Sequence, residues 1–256
     1  MKTTKFNVFY IAIVIFIICN FVISCGDDDD DDNSIQITSS KDLSMKSGET
    51  SQIQCAQNGV TFESEDDFVA KVSASGEIKA SHVGSTYIKV NGSKMIKVSV
   101  VPKYTNFDEP IMEFGISLQQ VKSKEKNNPS VVRDDVLLYD GTGHETSRMY
   151  SFKDGKLVYS AMIVKGTIYK NLVDFLAERY QVMDVNSSDS SSDYAVMMVN
   201  GLTPETITMG VGISVYNKTS LLVLYFPTDE ATRASSSYDK EIVIANIKQL
   251  LYENGY

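Results

Sequence analysis

The fold of the C-terminal half is decided by DVLLYDG at Asp135–Gly141, which recurs in a similar form as AVMMVNG at Ala195–Gly201. Each copy is an apolar run that ends in a polar residue and a glycine, and each is followed after three residues by Glu-Thr. Hairpin patterns come next, with turn residues at Asp154-Gly155 and at Asn217-Lys218. Apolar runs separated by such turns indicate antiparallel strands. The sequence therefore predicts a duplicated unit with three strands in each copy.

A helical pattern precedes each set of strands. Apolar spacing predicts a short helix after Gly115 and a longer helix from about Thr167. The buried positions of these two helices would be Leu118 and Val121, and then Ile168, Leu172, Phe175, Leu176 and Tyr180. A last helix is predicted over Tyr238–Glu253. We expect residues 111–256 to form an α+β domain of two αβββ repeats, with one antiparallel sheet, helices on one face and a C-terminal helix.

The first repeat carries a short family motif. Phe114-Gly115 precedes the first helix, and F-x-x-G-K-L stands at Phe152–Leu157 after a strand that contains Tyr139. This arrangement resembles small outer-membrane lipoproteins of the SmpA/OmlA type and the repeats of β-lactamase-inhibitor proteins. The resemblance implies protein binding through a face of the sheet, without catalysis.

Residues 34–102 show a different pattern, in which short alternating strands are separated by glycines. Alternation is clear at Leu43 and Met45, at Ile53 and Cys55, and at Ile96–Val100. Regularly spaced short strands favour an all-β sandwich. Cys55 falls on the inward side of its strand and is expected to pack as a small apolar residue.

The middle of this segment matches a family pattern over Phe62–Ser64, Val69–Ser73, Gly76–Ala80 and Gly84–Val90. These residues resemble the bacterial immunoglobulin-like domain of group 2 (BIG2), with phenylalanine at position 62 where the family usually has tryptophan. The resemblance implies a spacer or adhesion module. Residues 103–110 read as a linker to the second domain.

The N-terminus has the composition of a signal peptide. Two lysines, Lys2 and Lys5, precede an almost unbroken apolar run over Phe6–Ile23. This run has the length of a signal-peptide core and is short for a membrane span. We interpret residues 1–24 as a signal peptide, with an uncleaved transmembrane anchor as the alternative.

The residues after this run resemble the lipobox of bacterial lipoproteins, in which a small residue precedes an acylated cysteine. Ser24 and Cys25 fit that pattern, which implies lipidation, for example palmitoylation, of Cys25. Residues 25–33 then form a tether with six aspartates: Asp27, Asp28, Asp29, Asp30, Asp31 and Asp32. This run resembles the acidic export signal of Gram-negative surface lipoproteins and is also typical of a solvated, extended segment. The expected location is the outer membrane, with the protein lipid-anchored and facing the cell exterior.

Charge and cysteine content exclude several classes of function. The 256 residues carry 24 basic and 33 acidic side chains, a net charge of −9. This balance argues against nucleic-acid binding, which needs a basic surface. Of the three cysteines, Cys19 lies in the signal peptide, Cys25 is the lipidation site and Cys55 is alone, so neither a disulfide nor a cysteine metal cluster is predicted. No cofactor is predicted.

The second domain contains one candidate catalytic residue, His144. His144 stands in a glycine-flanked turn with Asp140 and Glu145 nearby, whereas the second repeat has Pro204 at the equivalent place. The turn therefore does not require an imidazole, and an exposed turn histidine is the expected outcome. The Ser/Asp-rich stretch from Asp184 to Asp193 offers oxygen ligands for Ca²⁺ but lacks the spacing of a known calcium loop.

These observations predict a non-enzymatic surface lipoprotein in which an immunoglobulin-like spacer presents a protein-binding or adhesion head. The partners are then the membrane, through Cys25, and an unknown protein. The alternative is a glycan-binding accessory lipoprotein of a nutrient-uptake system, although the chain has 14 tyrosines and no tryptophan to stack on sugar rings. An envelope enzyme centred on His144 is the third possibility.

Overall fold

The structure is a computed structural model, and it describes residues 35–185 and 196–228. The described chain is mostly β, with several sheets and a few helices. The described residues belong to one compact unit. The signal peptide, Cys25, Asp27–Asp32, most of the Ser/Asp-rich stretch and the helix expected at Tyr238–Glu253 lie outside the described residues.

Seven short strands make up the first part of the described chain. They are β1 (Asp42–Lys46), β2 (Thr50–Gln52), β3 (Phe62–Ser64), β4 (Ala70–Val72), β5 (Glu77–Ala80), β6 (Gly84–Val90) and β7 (Lys94–Val101). They form one sheet in the order β1-β7-β6-β3 and a second in the order β2-β5-β4. We call residues 35–101 the sandwich, because their two sheets share one apolar core.

The core of the sandwich follows from strand alternation. Ile78 of one sheet and Ile88 and Val98 of the other are fully buried and belong to the same cluster, while their strand neighbours face outward. Cys55 is half-buried against this cluster and pairs with Ile37 in an isolated bridge, not in a full strand as predicted.

Gly76 shows why a glycine is needed in one of the sandwich turns. Its φ of +81° lies in the left-handed region, and an added Cβ would be 3.0 Å from the ring of Phe62. A side chain would therefore meet both backbone strain and a crowded aromatic ring.

The second part of the chain has two helices and eight strands among its described residues. They are α1 (Leu118–Lys124), β8 (Val131–Val132), β9 (Val136–Asp140), β10 (Glu145–Lys153), β11 (Lys156–Lys165), α2 (Tyr169–Ala177), β12 (Gln181–Val185), β13 (Val196–Val199), β14 (Met209–Asn217) and β15 (Ser220–Pro227). We call residues 111–228, as far as they are described, the head.

The strands of the head form one antiparallel sheet in the order β12-β13-β14-β15-β11-β10-β9-β8. The last strands of the two repeats, β11 and β15, pair at the centre. These strands pair antiparallel, and the pairs Ser151 with Tyr159 and Ser214 with Leu222 hold equivalent places next to the two hairpin turns. The two halves are therefore related by an approximate two-fold axis at the pair Ala161 and Leu224.

Each half has four strands, so the prediction of three per repeat was wrong by one. The added strands, β8 and β12, lie at the two ends of the described sheet. Strand β8 is only two residues long, Val131–Val132, which is too short to show alternation in sequence. Strand β12 begins at Gln181, with only residues 178–180 between it and the end of α2.

Both predicted helices of the described head are present. Helix α1 begins at a capping box, in which Ser117 and Gln120 each bond the other's backbone N–H, and it buries Val121. A 3-10 turn at Gly166–Ile168 leads into α2. The buried face of α2 consists of Leu172, Phe175 and Leu176.

The two helices cover one face of the sheet. Helix α2 packs on a cluster that includes Val211 and Tyr225, and α1 packs on one that includes Leu137 and Tyr150. The apolar side chains of the opposite face, such as Leu138, are also buried. Protein binding through a face of the sheet, which the sequence resemblance implied, stays a prediction.

The segment predicted as a linker, residues 103–110, packs against the head. Phe107 is 6% exposed and belongs to the same core as α2. The backbone N–H groups of Lys103 and Tyr104 donate to the Glu178 carboxylate at 2.8 and 3.1 Å. The N–H of Val83, in the sandwich, donates to the Glu178 carbonyl at 2.7 Å. The sandwich and the head are therefore in direct contact.

Candidate functional site

A charged cleft of about 440 Å³ opens on the first half of the head. Its walls come from four separate segments: the 108–111 stretch, the end of α1, the end of β9 with its turn, and the start of β10. We call it the charged cleft, and its residues are Asp108, Glu109, Ile111, Lys124, Glu125, Lys126, Asn127, Tyr139, Asp140, Gly141, Thr142, Glu145 and Arg148. This volume lies within the range of small-molecule and side-chain binding pockets.

Arg148 is the centre of the cleft. Its Nε and Nη2 donate to the two carboxylate oxygens of Glu145 at 2.9 and 2.8 Å, and its Nη1 donates to Glu125 at 3.3 Å. Its Nη2 also donates to the backbone carbonyl of Asp108 at 3.0 Å. The Arg148 side chain is 16% exposed and that of Glu145 is 8% exposed, so this is a largely buried, bidentate ion pair.

A β-bulge places Glu145 beside Arg148. Neighbouring strand residues alternate between faces, so residues 145 and 148 would ordinarily lie on opposite sides of the sheet. The register of β10 against β11 shifts between Glu145 and Ser147, which turns the Glu145 side chain toward Arg148.

Tyr150 and Ser160 hold the 108–111 segment over the sheet. The Tyr150 hydroxyl accepts from the N–H of Ile111 at 3.1 Å, and the Ser160 hydroxyl donates to the carbonyl of Ile111 at 2.6 Å. Tyr150 also donates to Glu125. One wall of the cleft is thus positioned by two neighbouring strands.

Tyr139 supplies a polar group without a partner. Its ring packs edge-on to Tyr150, and the residue is 3% exposed. Its hydroxyl is buried in the wall of the cleft and makes no hydrogen bond. A buried, unsatisfied hydroxyl costs free energy, so its presence beside a cleft needs a reason.

The electrostatics of the cleft reflect burial and excess negative charge. Burial raises the pKa of Glu145, and the charges of Glu125 and Asp108 raise it further, while the bonds and charge of Arg148 oppose the shift. Burial, with a contribution from Glu125, raises the pKa of Tyr139 to about 12. Tyr139 therefore stays protonated at physiological pH.

A second ion-pair cluster borders the cleft through Glu109. The Tyr180 hydroxyl donates to Glu109 at 2.5 Å, and Arg179 lies 3.5 Å from its other oxygen. Arg179 also pairs with Glu178 at 2.6 Å and lies over the Phe175 ring at 3.7 Å. This cluster fixes the 103–109 segment against α2.

At four positions of its ladder, the second half of the head has apolar side chains where the first half has polar ones. Met149 pairs with Ala161 in the first half, and Gly212 pairs with Leu224 in the second. Met149 and Gly212 are therefore equivalent, and the neighbouring residues of the two halves can be matched in order from these positions. The first half has Tyr139, Arg148, Tyr150 and Ser160 where the second has Met198, Val211, Ile213 and Val223. The four residues of the second half are 0 to 4% exposed. The sheet can therefore be built with apolar residues at all four positions.

The structure separates the residues that the sequence grouped around His144. Glu145 is bound to Arg148, whereas His144 is exposed, with its ring 6.0 Å from that of Phe107. Asp140 is exposed and lines the charged cleft. His82 stacks on Phe68 at 4.0 Å in the sandwich. Sequence reasoning missed Arg148, Glu125 and Tyr139. A charged residue inside an otherwise alternating strand was the one available signal for Arg148.

No cluster of three or more His, Cys, Asp or Glu side chains suited to a metal ion occurs within 35–185 and 196–228. In the same ranges, no helix is long and apolar enough to cross a membrane.

No protein-family model matches this chain, and a search of curated proteins finds no match either.

Proposed function

We propose that the protein is a non-enzymatic surface lipoprotein, anchored through Cys25, whose head binds a protein partner through the charged cleft. The BIG2-like pattern at Val69–Ser73 and Gly76–Ala80 supports an immunoglobulin-like assignment for the sandwich. Two sheets of four and three strands around one core are compatible with that assignment. The head is proposed to be a duplicated α+β domain in which only the first copy has acquired the binding groups.

The observation that carries the proposal is the internal comparison between the two halves. The fold accommodates Val211 and Ile213 where the first half has Arg148 and Tyr150. Buried charged groups are often neutral or unfavourable for stability compared with apolar residues of similar size. A charged and partly unsatisfied cluster at an open cleft is therefore better explained by binding than by folding.

Direct contact between the sandwich and the head refines the spacer idea. Because Glu178 bonds the backbone at Val83, Lys103 and Tyr104, the sandwich would hold the head in a defined orientation. The proposed tether is the acidic run at Asp27–Asp32.

Photo-crosslinking on intact cells tests the proposed function. A photoreactive residue at exposed Thr142, on the rim of the cleft, should capture a protein of defined mass. The matched control places the same residue at exposed Lys71 of the sandwich. No product from position 142, or an identical product from both positions, would contradict a cleft-specific protein partner.

Protease treatment of intact cells tests the proposed location. A surface lipoprotein should lose its head before the outer membrane is permeabilised, and Cys25→Ser should release the protein from the membrane. A head that survives until permeabilisation would contradict surface exposure.

A further inference from the structure

We infer that the charged cleft binds the cationic side chain, an arginine guanidinium or a lysine ammonium, of a partner polypeptide. The inference rests on the proposed function, because it assigns the partner chemistry of the same site.

Carboxylates outnumber guanidinium groups in the floor of the cleft. Two carboxylates, Glu125 and Glu145, share the single guanidinium of Arg148. The exposed side chains of Asp108 and Asp140 add further negative charge to the lining of the cleft. Of the lysines in the walls, Lys124 bonds Glu113 at 2.9 Å, and Lys126 is exposed at the mouth. The floor therefore has one more negative than positive charge.

The positive charge already present in the floor uses four of its five N–H donors within the protein. Arg148 uses Nε, Nη1 and Nη2 for Glu145, Glu125 and the Asp108 carbonyl. An anionic ligand would have to compete with two buried carboxylates for this group. A cationic ligand meets acceptors that have remaining lone pairs.

The Tyr139 hydroxyl is buried in the wall of the cleft and unpartnered. With its proton retained, this hydroxyl accepts as well as donates. An N–H donor on a ligand would satisfy it, and Glu125, whose charge acts on this hydroxyl, would balance the ligand charge. Both guanidinium and ammonium groups offer several N–H donors and no acceptor.

The experiment is calorimetric titration of the purified full chain with small probes. Nα-acetyl-arginine amide and Nα-acetyl-lysine amide represent the side chains of a partner polypeptide. Nα-acetyl-citrulline amide has the shape of the arginine probe without its charge, and putrescine represents a free amine from another source. We expect the arginine or lysine probe to bind at least about tenfold more tightly than citrulline, and less tightly at high salt.

Tyr139→Phe separates binding from a structural role. Loss of the unsatisfied hydroxyl should leave the unfolding midpoint unchanged or higher, while the cationic probe binds about three- to tenfold more weakly. Glu125→Gln should weaken binding of the cationic probe further. The matched control is Glu65→Gln, which makes the same change in the exposed Lys89 pair of the sandwich and should leave binding unchanged.

Equal binding of citrulline, absence of binding by both cationic probes, or unchanged binding in Tyr139→Phe would overturn the inference. Tighter binding of putrescine than of either amide would overturn the polypeptide assignment. If position 142 captures a protein while the probes do not bind, the proposed function stands and the inference fails. If the amides bind while position 142 captures nothing, protein binding fails as the function.

Discussion

Arg148→Met removes the charge at the centre of the cleft while it keeps most of the apolar stem. The substitution leaves Glu145 and Glu125 buried without their guanidinium, and it deletes three bonds to carboxylates and one to the Asp108 carbonyl. Removal of one partner of a buried ion pair costs about 3–5 kcal/mol. Because the Arg148 side chain is 16% exposed, we expect a loss near the lower end, about 3 kcal/mol of unfolding free energy.

The loss should depend on pH through Glu145. The pKa of Glu145 is raised in the folded protein, so between its ordinary and its raised value the folded chain holds a proton that the unfolded chain has released. The free energy of unfolding therefore falls as pH rises through that interval. Without Arg148, which opposes the shift, the interval extends to higher pH. The deficit of the variant should be smaller at about pH 5 than at about pH 8.

Urea denaturation of the full chain at these two pH values measures both effects. The control is Lys89→Met, which breaks the exposed pair with Glu65, 3.1 Å apart and 36% exposed on each side, and should cost less than about 1 kcal/mol. A loss of unfolding free energy below about 1 kcal/mol for Arg148→Met, or a loss that is the same at both pH values, would contradict the interpretation of Arg148 and its carboxylates as a buried cluster with excess negative charge.

Two further substitutions test the local structure of the head. Gly141→Ala would place a Cβ 2.3 Å from the carbonyl oxygen of Glu145, so we expect a loss of about 1–3 kcal/mol in urea denaturation; a value near zero would show that the turn can open. Ser117→Ala removes the side-chain cap of α1 and should cost about 1 kcal/mol, whereas Ser123→Ala in the last turn should be nearly neutral; equal effects of the two would contradict the capping role.

The duplicated strands and both described helices could be predicted from sequence, because alternation and helical spacing are local properties. The residue-by-residue alignment of the two copies could not be predicted from sequence. The shared motif aligns Tyr139 with Val199, but the sheet register aligns it with Met198. Equally spaced Glu145 and Glu205 also differ, since the first begins a strand and is buried while the second lies exposed in a longer turn.

The role of residues 103–110 was not predictable for a related reason. Their polar and aromatic composition is typical of a linker, and nothing in it shows that Phe107 becomes part of the head core. The partners of this segment, such as Glu178, are about 70 residues away in the chain. Long-range contacts of this kind do not produce a local pattern.

By itself, the sequence predicts a signal segment and lipidation at Cys25, and it determined two differently patterned regions and a duplication, because these patterns are recorded in the order of neighbouring residues. Only the tertiary structure decided where the binding groups meet. Asp108, Glu125, Tyr139 and Arg148 come from four segments, and the sheet register, one β-bulge and the packing of the 108–111 stretch bring them to one cleft. Burial then makes the excess negative charge and the unsatisfied Tyr139 hydroxyl unfavourable in free energy. In an exposed chain, water would solvate the same groups.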